Sequence, residues 1–172
     1  VDEHHVLIRD FKRKRFDVFY TEAFGGSAQD RPMLMPEYYI AANLAHIFSS
    51  YLPCFSSLLF HSSGLIRRDR AVLFLAPDEG GKTTVVEHAD GMPVLSDDQI
   101  ILQKKNGEFI AHSTPLGGIT SGLCQARVGA LFMLKKALDF RIETIAPSTL
   151  VQFLWAEHSN YTFFLPKEIK KR

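Results

Sequence analysis

The sequence predicts an α/β protein in which a mixed β-sheet is flanked by helices. Apolar runs at 57–61 and 71–75 are short and nearly continuous, which is typical of strands buried on both faces of a sheet. The second run leads into a glycine-rich segment and then into a helical pattern. Two further apolar runs flank Lys105-Asn106-Gly107, which is a hairpin turn signal.

The elements of the first third follow from similar patterns. Apolar and charged residues alternate on both sides of the basic run at 12–15, which predicts two short strands. Residues 24–32 have the composition of a loop. Pro36 begins a predicted helix whose apolar face extends through Tyr51, and Pro53 ends it.

The elements of the later part include one ambiguous segment. After the glycine-rich segment, a helix is predicted through about Ala89, followed by a strand at 92–95. Residues 128–134 fit a strand or a helix equally well, because periodicity does not separate the two. A final helix is predicted from Pro147 through Trp155.

The composition limits the classes of partner. The 172 residues carry 20 basic and 19 acidic side chains, a net charge of +1, so no global field favours nucleic acid or an anionic membrane. No apolar run is long enough to span a bilayer. Basic clusters at 12–15 and 167–172 are typical of solvated faces and suit an acidic peptide better than RNA. Cys54 and Cys124 stand outside any metal-binding spacing, which predicts reduced core thiols and a cytoplasmic protein.

The segment from Ala76 to Thr83 departs by one residue from the phosphate-binding pattern GxxxxGK[ST]. In that pattern, the backbone N–H groups of a tight loop surround the phosphates, and the following helix directs its positive end toward them. Lys82 would neutralise the β- and γ-phosphates, and Thr83 would offer its hydroxyl to Mg²⁺. Ala76 replaces the first glycine, and Asp78 and Glu79 add negative charge. The alternative is a surface loop with a fortuitous similarity to the pattern.

Two carboxylates follow the strand predicted at 92–95, at Asp97 and Asp98. A carboxylate at the carboxyl end of a strand beside a P-loop is where Mg²⁺ is usually held. The adjacent carboxylate can accept the proton of an attacking hydroxyl. Ser96 with the two aspartates is also good turn chemistry, so a polar turn is the alternative.

His61 closes the apolar run at 57–61. One interpretation is a strand-end histidine that is bonded to neighbouring backbone. The other is a polar group that the strand delivers to the phosphate site.

The chain resembles the HPr kinase/phosphorylase family in the order of its motifs, as a small divergent relative. The motifs are His61-Ser62-Ser63-Gly64, a hairpin, the P-loop and Leu95-Ser96-Asp97-Asp98. That family shares its P-loop fold with phosphoenolpyruvate carboxykinase. Gly81-Lys82-Thr83-Thr84 is more similar to the carboxykinase loop, since the kinases commonly have Glu at position 84. The resemblance extends from about Leu58 to Ala111, with a weaker echo at 114–118.

The resemblance implies an ATP-dependent kinase that phosphorylates a hydroxyl, with serine of a peptide or protein as the expected acceptor. HPr itself is not expected, because the sequence that characterises true HPr kinases downstream of the P-loop is not evident. The resemblance implies Mg²⁺ binding by Thr83 and Asp98 and a catalytic-base role for Asp97, with the division between the two aspartates left open. His61 and Lys82 would join the catalytic site. The residues expected to bind the nucleotide are Gly80, Gly81, Lys82, Thr83 and Thr84.

We expect residues 1–172 to form a single domain, since neither a repeat nor a linker interrupts the chain. Within it, 55–120 would form the nucleotide-binding core, whereas 1–50 carry no family signature.

Two other functions fit the sequence. One is a nucleotide-binding module without catalysis, in which Ala76 and the acidic residues mark a degenerate loop. The other is a carboxykinase-like enzyme that acts on a small metabolite and would need an arginine cluster. Between the P-loop helix and the terminal tail the chain offers Arg127 and Arg141 for that purpose. The oligomeric state is open, with a homo-oligomer among the alternatives.

Overall fold

The computed structural model describes residues 5–10, 15–20, 44–45, 47–116 and 118–162. The chain divides into two compact units, Val1–Phe48 and Ser49–Arg172. The single domain over 1–172 stays a prediction.

The first unit contains an antiparallel pair of strands. β1 (His5–Asp10) and β2 (Arg15–Tyr20) pair from His5 opposite Tyr20 to Asp10 opposite Arg15. This confirms the two strands that the alternating pattern predicts. The predicted loop at 24–32 and the basic cluster at 167–172 lie outside the described residues.

The helix predicted from Pro36 is described at its end. Residues 47–51 are helical, and a 3-10 helix, Leu52–Phe55, follows with Pro53 in its first turn. The stop predicted at this proline is confirmed, while the helix start lies outside the described residues.

The second unit is built on a seven-stranded mixed sheet, as predicted. Its strands are β3 (Ser57–His61), β4 (Ser63–Arg67), β5 (Arg70–Leu75), β6 (Val94–Ser96), β7 (Gln99–Lys105), β8 (Glu108–His112) and β9 (Gln125–Met133). Their order across the sheet is β3-β7-β8-β9-β5-β4-β6. β5 and β9 pair in parallel, and the other neighbours pair antiparallel.

The sheet curls because its outer strands are segments of two longer strands. Ser62 alone separates β3 from β4, and Asp97 with Asp98 separates β6 from β7. His61 lies opposite Gln99 and Gly64 lies opposite Ser96, so one antiparallel register runs through both pairs. We call this pair of long strands the central ribbon. The two end strands of the sheet, β3 and β6, therefore both belong to this ribbon.

One face of the curled sheet holds the main core. Its buried members alternate along the strands, as a period of two requires. They are Phe60, Ala71, Leu73, Leu75, Leu95, Ile100, Ala111 and Ala126. Helix α2 (Pro147–Thr162) packs Leu150, Phe153 and Leu154 against this cluster. The start predicted at Pro147 is confirmed, and the helix continues beyond the predicted end at Trp155.

The opposite face of β4 and β5 is covered by a shorter helix. Helix α1 (Lys82–Glu87) ends two residues before the predicted Ala89. Its Val86, together with Ala89, packs on Leu65, and Phe74 is partly buried against the same cluster. The continuous apolar run of β5 is therefore covered on both faces, as its composition predicts.

The hairpin signal at Lys105-Asn106-Gly107 is confirmed. Asn106 and Gly107 have φ of 52° and 81° between β7 and β8, as a type I′ turn requires. The ambiguous segment at 128–134 is a strand as far as Met133, because β9 finds hydrogen-bonding partners in β8 and β5 on its two sides. Cys54 is exposed, so it is not a core thiol, whereas Cys124 is partly buried. Among the described residues, no helix has the length and apolar character to cross a bilayer.

Candidate functional site

The candidate site lies at the carboxyl end of β5. Ser63 lies opposite Phe74, near the end of that strand, and Gly64 lies opposite Ser96, the last residue of β6. The middle of the central ribbon therefore comes to the same end of the sheet as the glycine-rich loop. His61, Asp97 and Asp98 belong to this part of the ribbon, so the fold brings the three predicted motifs together.

The loop from Ala76 to Gly81 is a tight turn that leads into α1. The N–H of Gly80 donates to the carbonyl oxygen of Pro77 at 3.0 Å. Glu79 and Gly81 take positive φ values of 58° and 98°. A Cβ on Gly80 would collide with the Cβ of Ala76 and lie 2.8 Å from the Pro77 oxygen. The close approach that requires glycine is therefore at position 80.

Ala76 does not strain this loop. It is 1% exposed, and it is not among the residues with positive φ. The glycine that the phosphate-binding pattern has at this position is thus not needed for backbone freedom. Backbone strain at Ala76 therefore gives no support to the interpretation of this residue as a sign of loop decay.

Lys82 spans the loop that precedes it. Its Nζ atom donates to the carbonyl oxygens of Ala76 at 2.8 Å and Pro77 at 3.2 Å. The residue is 7% exposed, although lysine is almost never buried without partners. Nζ also lies 4.0 Å from Oδ1 of Asp78. The fold therefore holds one buried ammonium group against the backbone of the loop.

The ring of His61 lies close to the carboxylates of Asp78 and Asp98. Its Nε2 atom lies 2.9 Å from Oδ1 of Asp98 and 3.7 Å from Oδ1 of Asp78. The side chain of Asp78 is 90% exposed, whereas His61 and Asp98 are partly buried at 21% and 42%. The interpretation of His61 as a strand-end histidine bonded only to neighbouring backbone is wrong, since its ring contacts side chains from the loop and from the central ribbon.

Asp97 has a different partner. Its Oδ1 atom accepts a hydrogen bond of 3.0 Å from the N–H of Ile119. Between the strands, the hydroxyl oxygen of Ser96 accepts from the N–H groups of Asp98 and Gln99 at 3.2 Å each. Ser96 thus fixes the turn that carries both aspartates, and the predicted turn chemistry and the predicted carboxylate pair occur together.

Oxygen donors suited to Mg²⁺ are present, but they do not form a closed cage. Among the described residues, no group of three His, Cys, Asp or Glu side chains is arranged to hold a metal ion. Mg²⁺ bound with a nucleotide usually takes one or two protein oxygens, the remainder coming from phosphates and water. Asp98 is half-exposed and Thr83 is exposed at the start of α1. Their chemistry fits an ion that arrives with a nucleotide.

The remaining nucleotide-binding residues are accessible. Gly80 and Gly81 are partly exposed, and Thr84 is exposed on α1. The carbonyl oxygen of Thr84 accepts a hydrogen bond from the backbone N–H of His88 at 3.2 Å, within the helix.

Two features of the site escape sequence reasoning. Asp78 counts against phosphate binding in the sequence, yet in the structure it lies close to Lys82 and His61. The hydroxyls of Ser62 and Ser63 are fully buried and have no hydrogen-bond partner among the described residues. The first feature depends on the fold of the loop, and the second depends on the pairing inside the ribbon, so neither carries a sequence signal.

Comparisons with known proteins find distant structural similarity but no sequence relative. No family model and no curated protein matches the chain. Among solved structures, the chain is similar to that of the Hpr(Ser) kinase/phosphatase from Coxiella burnetii. The identity is 16%, the match covers 60% of this chain and 92% of that chain, and the TM-score is 0.39. This similarity is too low to show a shared fold, so function has to be inferred from the site itself.

Proposed function

We propose that this chain is an ATP-dependent kinase that transfers a γ-phosphoryl group to a hydroxyl, with serine of a peptide or protein as the acceptor. One observation carries the proposal. A buried lysine held against a tight loop shares one end of the sheet with two aspartates and a histidine. Phosphoryl transfer depends on positioning and charge neutralisation, and these residue types supply both. We extend the proposal to a carboxykinase-like P-loop fold and to work in the cytoplasm, where ATP is available.

Each of these residues has its own role in the proposed reaction. The N–H groups of the loop and the ammonium group of Lys82 bind the β- and γ-phosphates. The hydroxyl oxygen of the acceptor forms a bond to the γ-phosphorus, and Asp97 takes up the proton that this hydroxyl loses. The bond from that phosphorus to the β–γ bridging oxygen breaks, and ADP leaves. Thr83 and Asp98 would hold Mg²⁺, which neutralises the phosphate charge when bound.

His61 supports this arrangement through Asp98. Because its Nε2 atom is 2.9 Å from Oδ1, it fixes one carboxylate oxygen and leaves Oδ2 for the metal ion. Metal-binding carboxylates commonly have such a hydrogen-bonded partner. We therefore assign His61 a positioning role.

The carboxykinase-like alternative is less well supported. It needs cationic groups for a dicarboxylate near the loop. Arg127 lies opposite Arg70 at the start of β5, whereas the loop follows the end of that strand. Arg127 pairs with Glu108 at 2.7 Å, and Arg141 pairs with Glu143 at 3.3 Å. Both arginines thus have acidic partners, and Arg127 lies at the opposite end of β5 from the loop.

The discriminating experiment compares binding with transfer. Labelled ATP and Mg²⁺ are incubated with a library of serine-containing peptides and the wild-type protein, and ATP affinity is measured in parallel by calorimetry. In the Asp97→Asn variant we expect unchanged Mg-ATP affinity and a loss of transfer of about a hundredfold or more. If the wild type binds Mg-ATP but labels no peptide, the protein is a non-catalytic binding module. If it binds no nucleotide, the kinase proposal is wrong altogether.

A further inference from the structure

Residues 118–122 lie along the outer edge of β6 and hold Asp97 from one side. Ser121 donates its N–H to the carbonyl oxygen of Val94 at 2.9 Å, and its hydroxyl accepts from the Val94 N–H at 2.8 Å. Thr120 donates its hydroxyl to the carbonyl oxygen of Leu95 at 3.1 Å. These bonds fix the segment in register with the strand that carries the aspartates.

The two oxygens of Asp97 have different surroundings as a result. Oδ1 accepts the backbone N–H of Ile119 at 3.0 Å. Beside Oδ2 is Gly118, on which a Cβ atom would lie 3.5 Å from that oxygen. One oxygen is therefore held by the backbone, and the space next to the other is open because residue 118 has no side chain.

We propose that Gly118 is a specificity-determining residue that keeps Oδ2 of Asp97 open to the acceptor hydroxyl, while the N–H of Ile119 orients the carboxylate. The inference rests on the kinase function proposed above. A hydroxyl that donates to a carboxylate comes within about 2.5–2.7 Å of the oxygen. A methyl group at 3.5 Å from the same oxygen would occupy part of the volume that the acceptor needs.

Gly118 is not required by backbone geometry. It is not among the glycines with positive φ, and it is exposed. The distance of 3.5 Å is an ordinary van der Waals contact, so alanine fits the free protein without displacing Asp97. Alanine at position 118 can therefore be used to test access to Asp97 without disturbing the fold.

The first test uses the best serine peptide from the library, labelled ATP and a graded pair of variants. We expect Gly118→Ala to lower kcat/KM for the peptide about tenfold and Gly118→Val to lower it further, with KM for ATP unchanged. Leu123→Ala, at an almost fully exposed position directly after this segment, is the control and should match the wild type. Unchanged peptide kinetics in both Gly118 variants would overturn the proposal, as would an equal loss of ATP affinity.

The second test does not need kinase activity. Water-soluble carbodiimide with glycine ethyl ester labels accessible carboxylates, and peptide mass spectrometry gives the extent at Asp97 and Asp98 separately. We expect Gly118→Val to slow labelling at Asp97 and to leave Asp98 unchanged. Equal labelling of Asp97 in variant and wild type would show that residue 118 does not control access. A wild type without peptide transfer, combined with slowed labelling in the variant, would reject the kinase function and retain only the control of access to Asp97 by residue 118.

Discussion

The Nε2 atom of His61 lies 2.9 Å from Oδ1 of Asp98, across the central ribbon. His61 ends β3 and Asp98 precedes β7, and the antiparallel register between these strands brings the two side chains together. The contact therefore depends on strand pairing and not on a flexible loop. A one-residue change of register would move one of the partners to the other face of the sheet.

Replacement of Asp98 by asparagine should weaken ATP binding in a metal-dependent way. We expect the affinity in Mg²⁺ to fall about tenfold or more, because asparagine keeps the size of the side chain but removes the charge that attracts the ion. The affinity in EDTA should stay unchanged. Calorimetry under both conditions measures the difference, and Asp139→Asn, at an exposed position, is the matched control. An equal loss with and without Mg²⁺ would remove Asp98 from the proposed metal site.

Replacement of Lys82 by alanine should reduce Mg-ATP affinity by about an order of magnitude or more, because it removes the cation that would face the phosphates in the proposed complex. The variant also leaves two backbone carbonyls without their donor, so we expect a loss of about 1–3 kcal/mol in the free energy of unfolding. Calorimetry and urea unfolding separate the two effects. Lys104→Ala, an exposed lysine on β7, should change neither. Unchanged ATP affinity in the Lys82 variant would contradict the P-loop interpretation.

The loop should tolerate a glycine at 76 but not an alanine at 80. Since Ala76 is buried without positive φ, Ala76→Gly should leave ATP affinity unchanged and cost about 1 kcal/mol of stability through backbone entropy. Gly80→Ala should abolish measurable binding, because its Cβ collides with the Cβ of Ala76.

The double variant Ala76→Gly/Gly80→Ala tests the collision between the two Cβ atoms directly. It removes the collision with Ala76 but keeps the 2.8 Å approach to the Pro77 oxygen, so binding should recover in part. An increase in affinity in Ala76→Gly alone would show instead that the loop needs the first glycine of its pattern.

Stability should depend on pH through His112. Burial, with Lys105 as a second cause, lowers the pKa of His112 below its ordinary value of 6.5. The unfolded chain then binds a proton more readily than the folded protein, so the free energy of unfolding should fall as the pH drops below about 6.5. Urea unfolding at about pH 5 and pH 8 should show a smaller difference in His112→Gln than in the wild type. His88→Gln, at an exposed position, is the control, and equal pH dependence in all three proteins would contradict the prediction.

The sequence predicts most elements of the second unit because local signals and tertiary packing agree there. The apolar run of β5, the hairpin at Asn106-Gly107 and the helix start at Pro147 each combine a pattern with a turn or cap signal. β9 is ambiguous in the sequence because its identity depends on partners on both sides, which no local pattern contains. Long-range pairing decides such segments.

The sequence likewise identifies some residues of the candidate site but not the contacts between them. Lys82, Asp97 and Asp98 could be identified from residue types beside predicted strand ends. The contact of Asp78 with His61 and the N–H that Ile119 donates to Asp97 could not, because each joins segments distant in sequence. The loop requires glycine at position 80 and not at position 76. The sequence does not show this, because it depends on which atoms approach each other in the folded loop.

The bonds that fix residues 118–122 also have a consequence for aggregation. The exposed backbone of an edge strand is a template to which another polypeptide can add. Here the outer N–H and C=O of Val94 are already paired with Ser121. The chain thus blocks strand addition at Val94, so the edge beside the two aspartates can stay exposed without recruiting a second sheet.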